Sequence, residues 1–334
     1  MVGLRSRRDD RLGRRSSAGR VGNVQRMTDN WFARRTHHWQ EWTLSDLLAA
    51  KEARDQQVSL VVPARNEAAT VGDVVGRLRD ALVDTVALLD EVVVIDSDSE
   101  DDTYAVAENA GAVVHRARDI RPDLGSVPGK GEAMWKSLFV TSGDLLVFID
   151  ADLLDWDTHF VPGLLGPLLT TPEVQLVKGF YERPYDDGDT VAAYEGGRVT
   201  ELVARPLIAL QYPQLSGLVQ PLAGEWAIRR SLFEELEVPT GYAVEMAALI
   251  DTTRVAGVDA IAQVDLGRRA HRHQALRDLG AMATQVLAAA SARAANAECP
   301  DSVLLRQYSR INGAVTQQDR QVALGERPAA RSVA

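Results

Sequence analysis

The chain has 334 residues, 46% hydrophobic and 25% charged, enough for one large domain or two small ones. A formal net charge of −10 argues against nucleic acid as the main partner, and no apolar run approaches the roughly 20 residues that span a membrane. The one cysteine, Cys299, precludes an intrachain disulfide and fits a reducing cytoplasm.

Residues 1–40 hold ten arginines and three acids, a net of +7. This Arg-, Gly- and Ser-rich stretch reads as a basic, disordered extension, with Met27 a candidate start. From Val58 the pattern changes. "VSLVV" (58–62) reads as a strand, followed by "PARNE" and a helix from Thr70. "EVVVI" (91–95) is a second strand. It ends in "DSDSEDDT", an acidic and hydroxyl cluster suited to capping a helix at about Thr103. "AVVHR" (112–116) is a third, "GEAMWKSLFV" (131–140) a helix, and "LLVFI" (145–149) a fourth strand. Strands alternating with helices, and nearly continuous in apolar residues, predict an α/β fold with a parallel sheet covered on both faces. Ligands of such sheets sit beyond the carboxyl ends of the strands, which is where "PARNE", "DSDS" and "DAD" fall.

The second half continues with a strand at 174–181. A helix starts in "RVTELVARPLIALQ", limited or kinked by Pro206. A helix over 241–257 ends at Gly257, a C-cap residue. A strand opens 260–273, an Ala-rich helix follows, and the last thirty or so residues look weakly ordered by composition.

The chemistry gathers in a few short motifs. In an extended segment residues i and i+2 face the same way, so Asp150 and Asp152 project together from a strand end. A hard divalent cation accepts such oxygens and keeps waters and substrate phosphates as its other ligands, although Asp is also a good helix cap. In "PARNE" the proline stops the ladder, Ala64 permits close approach, and Asn66 and Glu67 offer acceptors. "PGKGEA" (128–133) sets Lys130 between two glycines before a helix, where backbone amides and the ammonium can meet phosphate. Neither G-x-x-x-x-G-K-[ST] nor G-x-G-x-x-G occurs. "GGRVT" (196–200) reads as an anion cradle, or else as a hinge with Glu201 and Arg205 as a surface pair. In "RRAHRH" (268–273), Arg269, His271 and His273 share one face of an extended segment, which could complete a metal shell or form a solvated basic edge.

These blocks, with "SGDLLVFIDADL", "GGRVTELVARPL", "QPLAGEWA", "GYAVEMAALIDT" and "DAIAQVDLGRRAHRH", resemble a known family. It is that of the glucosyl-3-phosphoglycerate synthases and the related actinobacterial mannosyl-3-phosphoglycerate synthases. The resemblance runs from about Trp42 to Ala290. It implies a GT-A fold with a Rossmann-like, mostly parallel sheet, and retaining transfer of glucosyl or mannosyl from a UDP- or GDP-sugar to the 2-hydroxyl of 3-phosphoglycerate. Pro63, Ala64, Glu67, Ser97, Gly129, Lys130 and Asp150 would hold the donor nucleotide and diphosphate, and Tyr242 and Glu245 would lie by the sugar. Asp152 and His271 would bind Mg²⁺ or Mn²⁺, Arg269 would neutralise the leaving diphosphate, and Gly197, Arg198 and Thr200 would hold the acceptor. Glu245, Asp152 and Arg269 form the catalytic set so implied. The expected division is a basic extension (1–40), a nucleotide-sugar half (41–155), an acceptor and dimerisation half (156–300) and a tail (301–334). A cytoplasmic homodimer is the implied assembly.

Two departures stand out. His273 replaces a usual Asn, and "DSDS" replaces "DSGS", which puts Asp98 near the nucleotide. A haloacid-dehalogenase-type phosphatase also places Asp-x-Asp after an apolar strand. Its pattern continues Gly-Thr and comes first in the fold, whereas here Leu153 and Leu154 follow and three strands precede. A polyprenyl-phosphate glycosyltransferase would share the first half but not "GGRVT".

Overall fold

The computed structural model describes residues 26, 28–182, 185–186, 191–192, 197–269, 276–311 and 314–333. In chain order the first half comprises β1 (Thr36–His38), α1 (Leu44–Ala53), β2 (Val58–Ala64), α2 (Val71–Arg79), β3 (Glu91–Asp96), α3 (Thr103–Asn109), β4 (Val113–Arg116), α4 (Lys130–Ser137) and β5 (Leu145–Phe148). The second comprises α5 (Phe160–Thr170), β6 (Leu176–Glu182), α6 (Arg205–Gln211), β7 (Trp226–Arg229), α7 (Val244–Ala256), β8 (Ile261–Arg268), α8 (Leu276–Ala295), β9 (Ser302–Ile311) and β10 (Ala314–Ala323).

Among the described residues eight strands form one sheet in the order β1-β8-β6-β7-β5-β2-β3-β4. All neighbours are parallel except β7, which runs antiparallel to both β5 and β6. Successive strand residues face opposite layers: Leu60, Val62, Val92 and Val94 pack in one core, Val61, Val93 and Ile95 in the other. Burial on both faces is why these strands read as unbroken apolar runs. The 155/156 boundary does not divide this sheet, since β6, β7 and β8 continue it.

Three expectations change. Pro63 does not stop the ladder: β2 runs to Ala64, with Pro63 opposite Ile95 and Ala64 opposite Asp96. The extension is shorter than residues 1–40, because Trp31 is buried with its Nε1 donating to Val258 O at 3.0 Å and Ile261 O at 3.2 Å, and β1 pairs with β8 at the sheet edge. Residues 1–25 lie outside the described residues.

The C-terminal stretch is not weakly ordered. β9 and β10 pair over ten residues each, and Arg327 and Pro328 beyond them contact α4. There Arg327 forms a two-pronged ion pair with the buried Glu132, at 2.6 Å on each oxygen, and Trp135 Nε1 donates to Pro328 O at 2.9 Å. A few apolar anchors, Val322, Leu324 and Ala330, and the ion pairs of Arg327 with Glu132 and of Glu326 with the largely buried Arg293 hold a segment that is otherwise polar. Among the described residues no helix is long and apolar enough to cross a membrane.

Candidate active site

At the end of β5 the chain leaves the ladder after Phe148, and Asp150 and Asp152 meet one guanidinium nitrogen. Arg269 Nη2 is 3.3 Å from Asp150 Oδ2 and 3.1 Å from Asp152 Oδ1. The other oxygen of Asp150 lies 2.6 Å from Lys130 Nζ, which in turn lies 2.8 Å from Glu245 Oε1. Thus the strand end, the first residue of α4, the first turn of α7 and the exit of β8 converge. The chain beyond Arg269, including His271 and His273, lies outside the described residues.

Local backbone chemistry places Lys130. Gly129 has φ +154°, and a Cβ there would lie 2.0 Å from Thr240 O; one on Gly131 would lie 1.9 Å from Pro239 O. Only glycines allow α4 to start this close to residues 239–241. Two of its first amides are spent in that contact: Gly131 N donates to Gly241 O and Glu132 N to Thr240 O. The lysine, more than these amides, is what the motif offers an anion.

The charges control one another. Burial pulls the Lys130 ammonium down, but Asp150 and Glu245 more than offset this and hold it above its usual value. Burial, with the charge of Asp150, pushes Asp152 up against the pull of Arg269 and Lys130. Burial opposes the charge on Arg269, while Glu225, Tyr181 and the two aspartates hold it well above normal.

A cleft of about 530 Å³ opens over this cluster, within the range of small-molecule sites. Its lining includes Pro63, Ala64, Glu67 and Ser97 from the ends of β2 and β3, then Gly129 and Lys130, Asp150 and Asp152, and Tyr242, Glu245 and Arg269. Gly197, Arg198 and Thr200 line it as well, at the start of a wide helical turn (Thr200–Ala204) that leads into α6 with Pro206 in its first turn. Every described site residue expected from sequence thus borders one cavity. Arg205 Nε also pairs with Glu201 Oε1 at 2.7 Å, so the surface-pair reading of that segment holds alongside its place in the cleft.

Two polar residues singled out from the sequence do other work. Asn66, at φ +57°, accepts from Glu100 N at 2.8 Å while its own N donates to Ser99 Oγ at 2.9 Å. It ties "PARNE" to the loop after β3. Asp98 also has positive φ, at +57°, the conformation that a glycine supplies without strain. It pairs with exposed Arg118 at 3.5 Å and is not part of the cleft lining.

The structure adds residues that the sequence did not flag. Leu279, Met282 and Gln285 of α8 and Arg320 of β10 line the cleft. Behind it, Glu225 and Tyr181 hold Arg269, and Gly224 sits so close that a Cβ would lie 2.0 Å from Asp150 Oδ2.

Two carboxylates crowded at a strand end, one pushed up partly by the other, suit a divalent cation that keeps other ligands from water and phosphate. Among the described residues no group of three or more His, Cys, Asp or Glu side chains is disposed to hold a metal. His271, expected to join Asp152 on the metal, lies outside the described residues.

Residues 59–237 match the family model described as Glycosyl transferase family 2. The chain is 45% identical to a glucosyl-3-phosphoglycerate synthase of Mycolicibacterium smegmatis, over 87% of this chain and 95% of the relative. A crystal structure of the Mycobacterium tuberculosis glucosyl-3-phosphoglycerate synthase with Mn²⁺, UDP-glucose and phosphoglyceric acid is similar at TM-score 0.79 and 43% identity, covering 90% of this chain and 99% of that one. Another, with Mg²⁺ and UDP, is similar at the same score, identity and coverage.

Proposed function

Because the chain belongs to the glucosyl-3-phosphoglycerate synthase family of metal-dependent glycosyltransferases, we propose that it moves glucose from UDP-glucose to the 2-hydroxyl of 3-phosphoglycerate, with retention at the anomeric carbon. The observation that carries this reading is the single cleft bordered by both the Lys130–Asp150–Glu245–Arg269 cluster and the Gly197–Arg198–Thr200 segment. A donor diphosphate and an anionic acceptor need cationic ends of one cavity.

In this reading Pro63, Ala64, Glu67 and Ser97 hold the nucleotide, and Asp150 orients its ribose-phosphate side. Lys130 and Arg269 take up the charge that develops on the departing UDP. Glu245 and Tyr242 grip the sugar. Gly197, Arg198 and Thr200 hold the acceptor, using backbone amides, a guanidinium fork and a hydroxyl. The acceptor 2-hydroxyl attacks the anomeric carbon from the leaving group's side. The bond from that carbon to the diphosphate oxygen breaks with its electron pair, and the hydroxyl proton passes to the departing diphosphate. Glu245, already paired with Lys130, is left free of any duty as a nucleophile. Mg²⁺ or Mn²⁺, held by Asp152 with His271, supplies Lewis-acid charge neutralisation when bound. A cytoplasmic homodimer built mainly by the C-terminal half completes the reading, and sedimentation velocity tests its stoichiometry.

The deciding experiment is an initial-rate matrix of UDP- and GDP-linked glucose and mannose against 3-phosphoglycerate, with Mg²⁺ or Mn²⁺, the product's anomeric configuration being read by NMR. The expected result is fastest transfer from UDP-glucose with an α-linked product. No transfer to 3-phosphoglycerate from any of these donors would overturn the proposal.

A further inference from the structure

Behind the cleft lies a layer of buried polar groups that does not line it. Glu225 immediately precedes β7 and is fully buried, as is Tyr181 on β6. Arg269 Nη1 donates to Tyr181 Oη at 2.6 Å and to Glu225 Oε2 at 2.9 Å, with Glu225 Oε1 at 2.8 Å. Tyr181 Oη donates in turn to Glu225 Oε2 at 2.7 Å, which closes a three-membered ring of bonds around one guanidinium nitrogen. Both protons of Nη1 are used there, so Nη2 is the end that reaches Asp150 and Asp152.

This arrangement is costly for a merely structural one. Removing a carboxylate from water is unfavourable, and an apolar pair of similar volume commonly fills such a space with no loss of stability. The long side chain of Arg269 stands just past the end of β8, after Gly267 at φ +83° and a break in register between Asp265 and Arg268. Left alone, it would sample many rotamers. Gripped at Nη1, it has one orientation. We infer, on the donor-site reading above, that Glu225, assisted by Tyr181, is a positioning residue that aims Arg269 at the donor diphosphate. Neither residue touches the substrate; both act through the guanidinium.

The test is a double-mutant cycle on the full chain, read by calorimetric binding of UDP in the presence of Mn²⁺ and by thermal unfolding. Glu225→Gln keeps the shape and removes the charge; it is expected to weaken UDP about tenfold, as loss of a hydrogen bond to a charged group does. Arg269→Met should weaken UDP at least as much. The decisive expectation is that Glu225→Gln combined with Arg269→Met binds UDP no more weakly than Arg269→Met alone, because Glu225 has then lost the group through which it works.

Additive losses, or UDP binding unchanged in Glu225→Gln, would overturn the inference while leaving the proposed function standing. If Glu225→Gln does not fold, Tyr181→Phe takes its place in the same cycle. It keeps the ion pair, removes the aiming hydroxyl and is expected to show the same non-additivity; additivity there is equally fatal. A wild-type protein that bound no UDP would overturn the function proposed above and this inference together.

Discussion

Lys130 Nζ lies 2.8 Å from Glu245 Oε1, so one ammonium joins the first residue of α4 to the first turn of α7, and at 2.6 Å from Asp150 Oδ1 it reaches the end of β5 as well. Its place is set by glycines on both sides and not by its own length. Lys130→Met is therefore expected to lower kcat/KM for the donor by about 10²- to 10³-fold, the usual scale for removing one preorganised charge. Lys130→Arg should recover little of it, since a planar fork does not fit where a point charge is enclosed. Steady-state rates over a donor series check both; a rescue by arginine to within a few-fold of wild type would contradict the geometry.

The two ends of the cleft separate in kinetics. Asp152→Ala is expected to abolish metal-dependent transfer and to weaken Mn²⁺ binding in an electron paramagnetic resonance titration, because it removes half of the carboxylate pair at the strand end. Arg198→Ala is expected to raise the acceptor KM by roughly ten- to a hundredfold, the cost of a charge-assisted hydrogen bond, with kcat changed much less. Normal kinetics in both variants would remove the assignments on which the proposed function rests.

Gly224 tests whether Asp150 is held where it must be. A methyl group at this position would lie 2.0 Å from Asp150 Oδ2, far inside contact distance, and the carboxylate would have to swing out of reach of Lys130 and Arg269. Gly224→Ala should therefore cost about 10²-fold or more in kcat/KM, comparable with losing a preorganised charge. Rates and a urea unfolding curve measured on the same preparation separate displacement of Asp150 from general unfolding. Unchanged rates would show that Asp150 is free to shift at no cost.

Most of the site was legible because its pieces are short, polar and attached to strongly apolar strands. β2, β3 and β5 announce themselves by buried Val, Leu and Ile runs, and "PARNE", "DSDS" and "DAD" follow from their carboxyl ends. What was not legible depends on distant partners. Glu225, Tyr181 and Lys178 are single residues among apolar neighbours, each given meaning by a side chain or carbonyl more than forty positions away. β7 is only four residues long, and its position between β5 and β6 is a tertiary fact, not a local preference. Trp31 stands beside an exposed Phe32 in a basic segment, yet it is itself buried on the sheet edge. The C-terminal hairpin did carry a local sign: Asn312-Gly313 stands between two runs that read as strands. Polar composition outweighed it.

Lys178 carries a pH dependence with a definite sign. It is fully buried on β6, its ammonium donates to Ala223 O and lies 5.5 Å from the Trp226 ring centroid, and burial pulls its pKa down to about 7 against the opposing pull of Glu245. In the unfolded chain a lysine titrates near 10.4. Between these values the unfolded state binds the extra proton, so stability rises with pH across this window. Below about pH 7 both states are charged and the full penalty of burying the charge applies; above about pH 10.4 both are neutral and the penalty is gone. Lys178→Met has no such dependence. The wild-type protein should therefore gain roughly 3–5 kcal/mol relative to Lys178→Met between pH 6 and pH 10, since each tenfold difference in proton affinity between the two states is worth about 1.4 kcal/mol. Urea unfolding of both proteins at pH 6, 8 and 10 measures the change in their difference, which cancels every other titrating group that the two share. Parallel pH profiles would mean that the Lys178 ammonium is as well accommodated in the fold as in water.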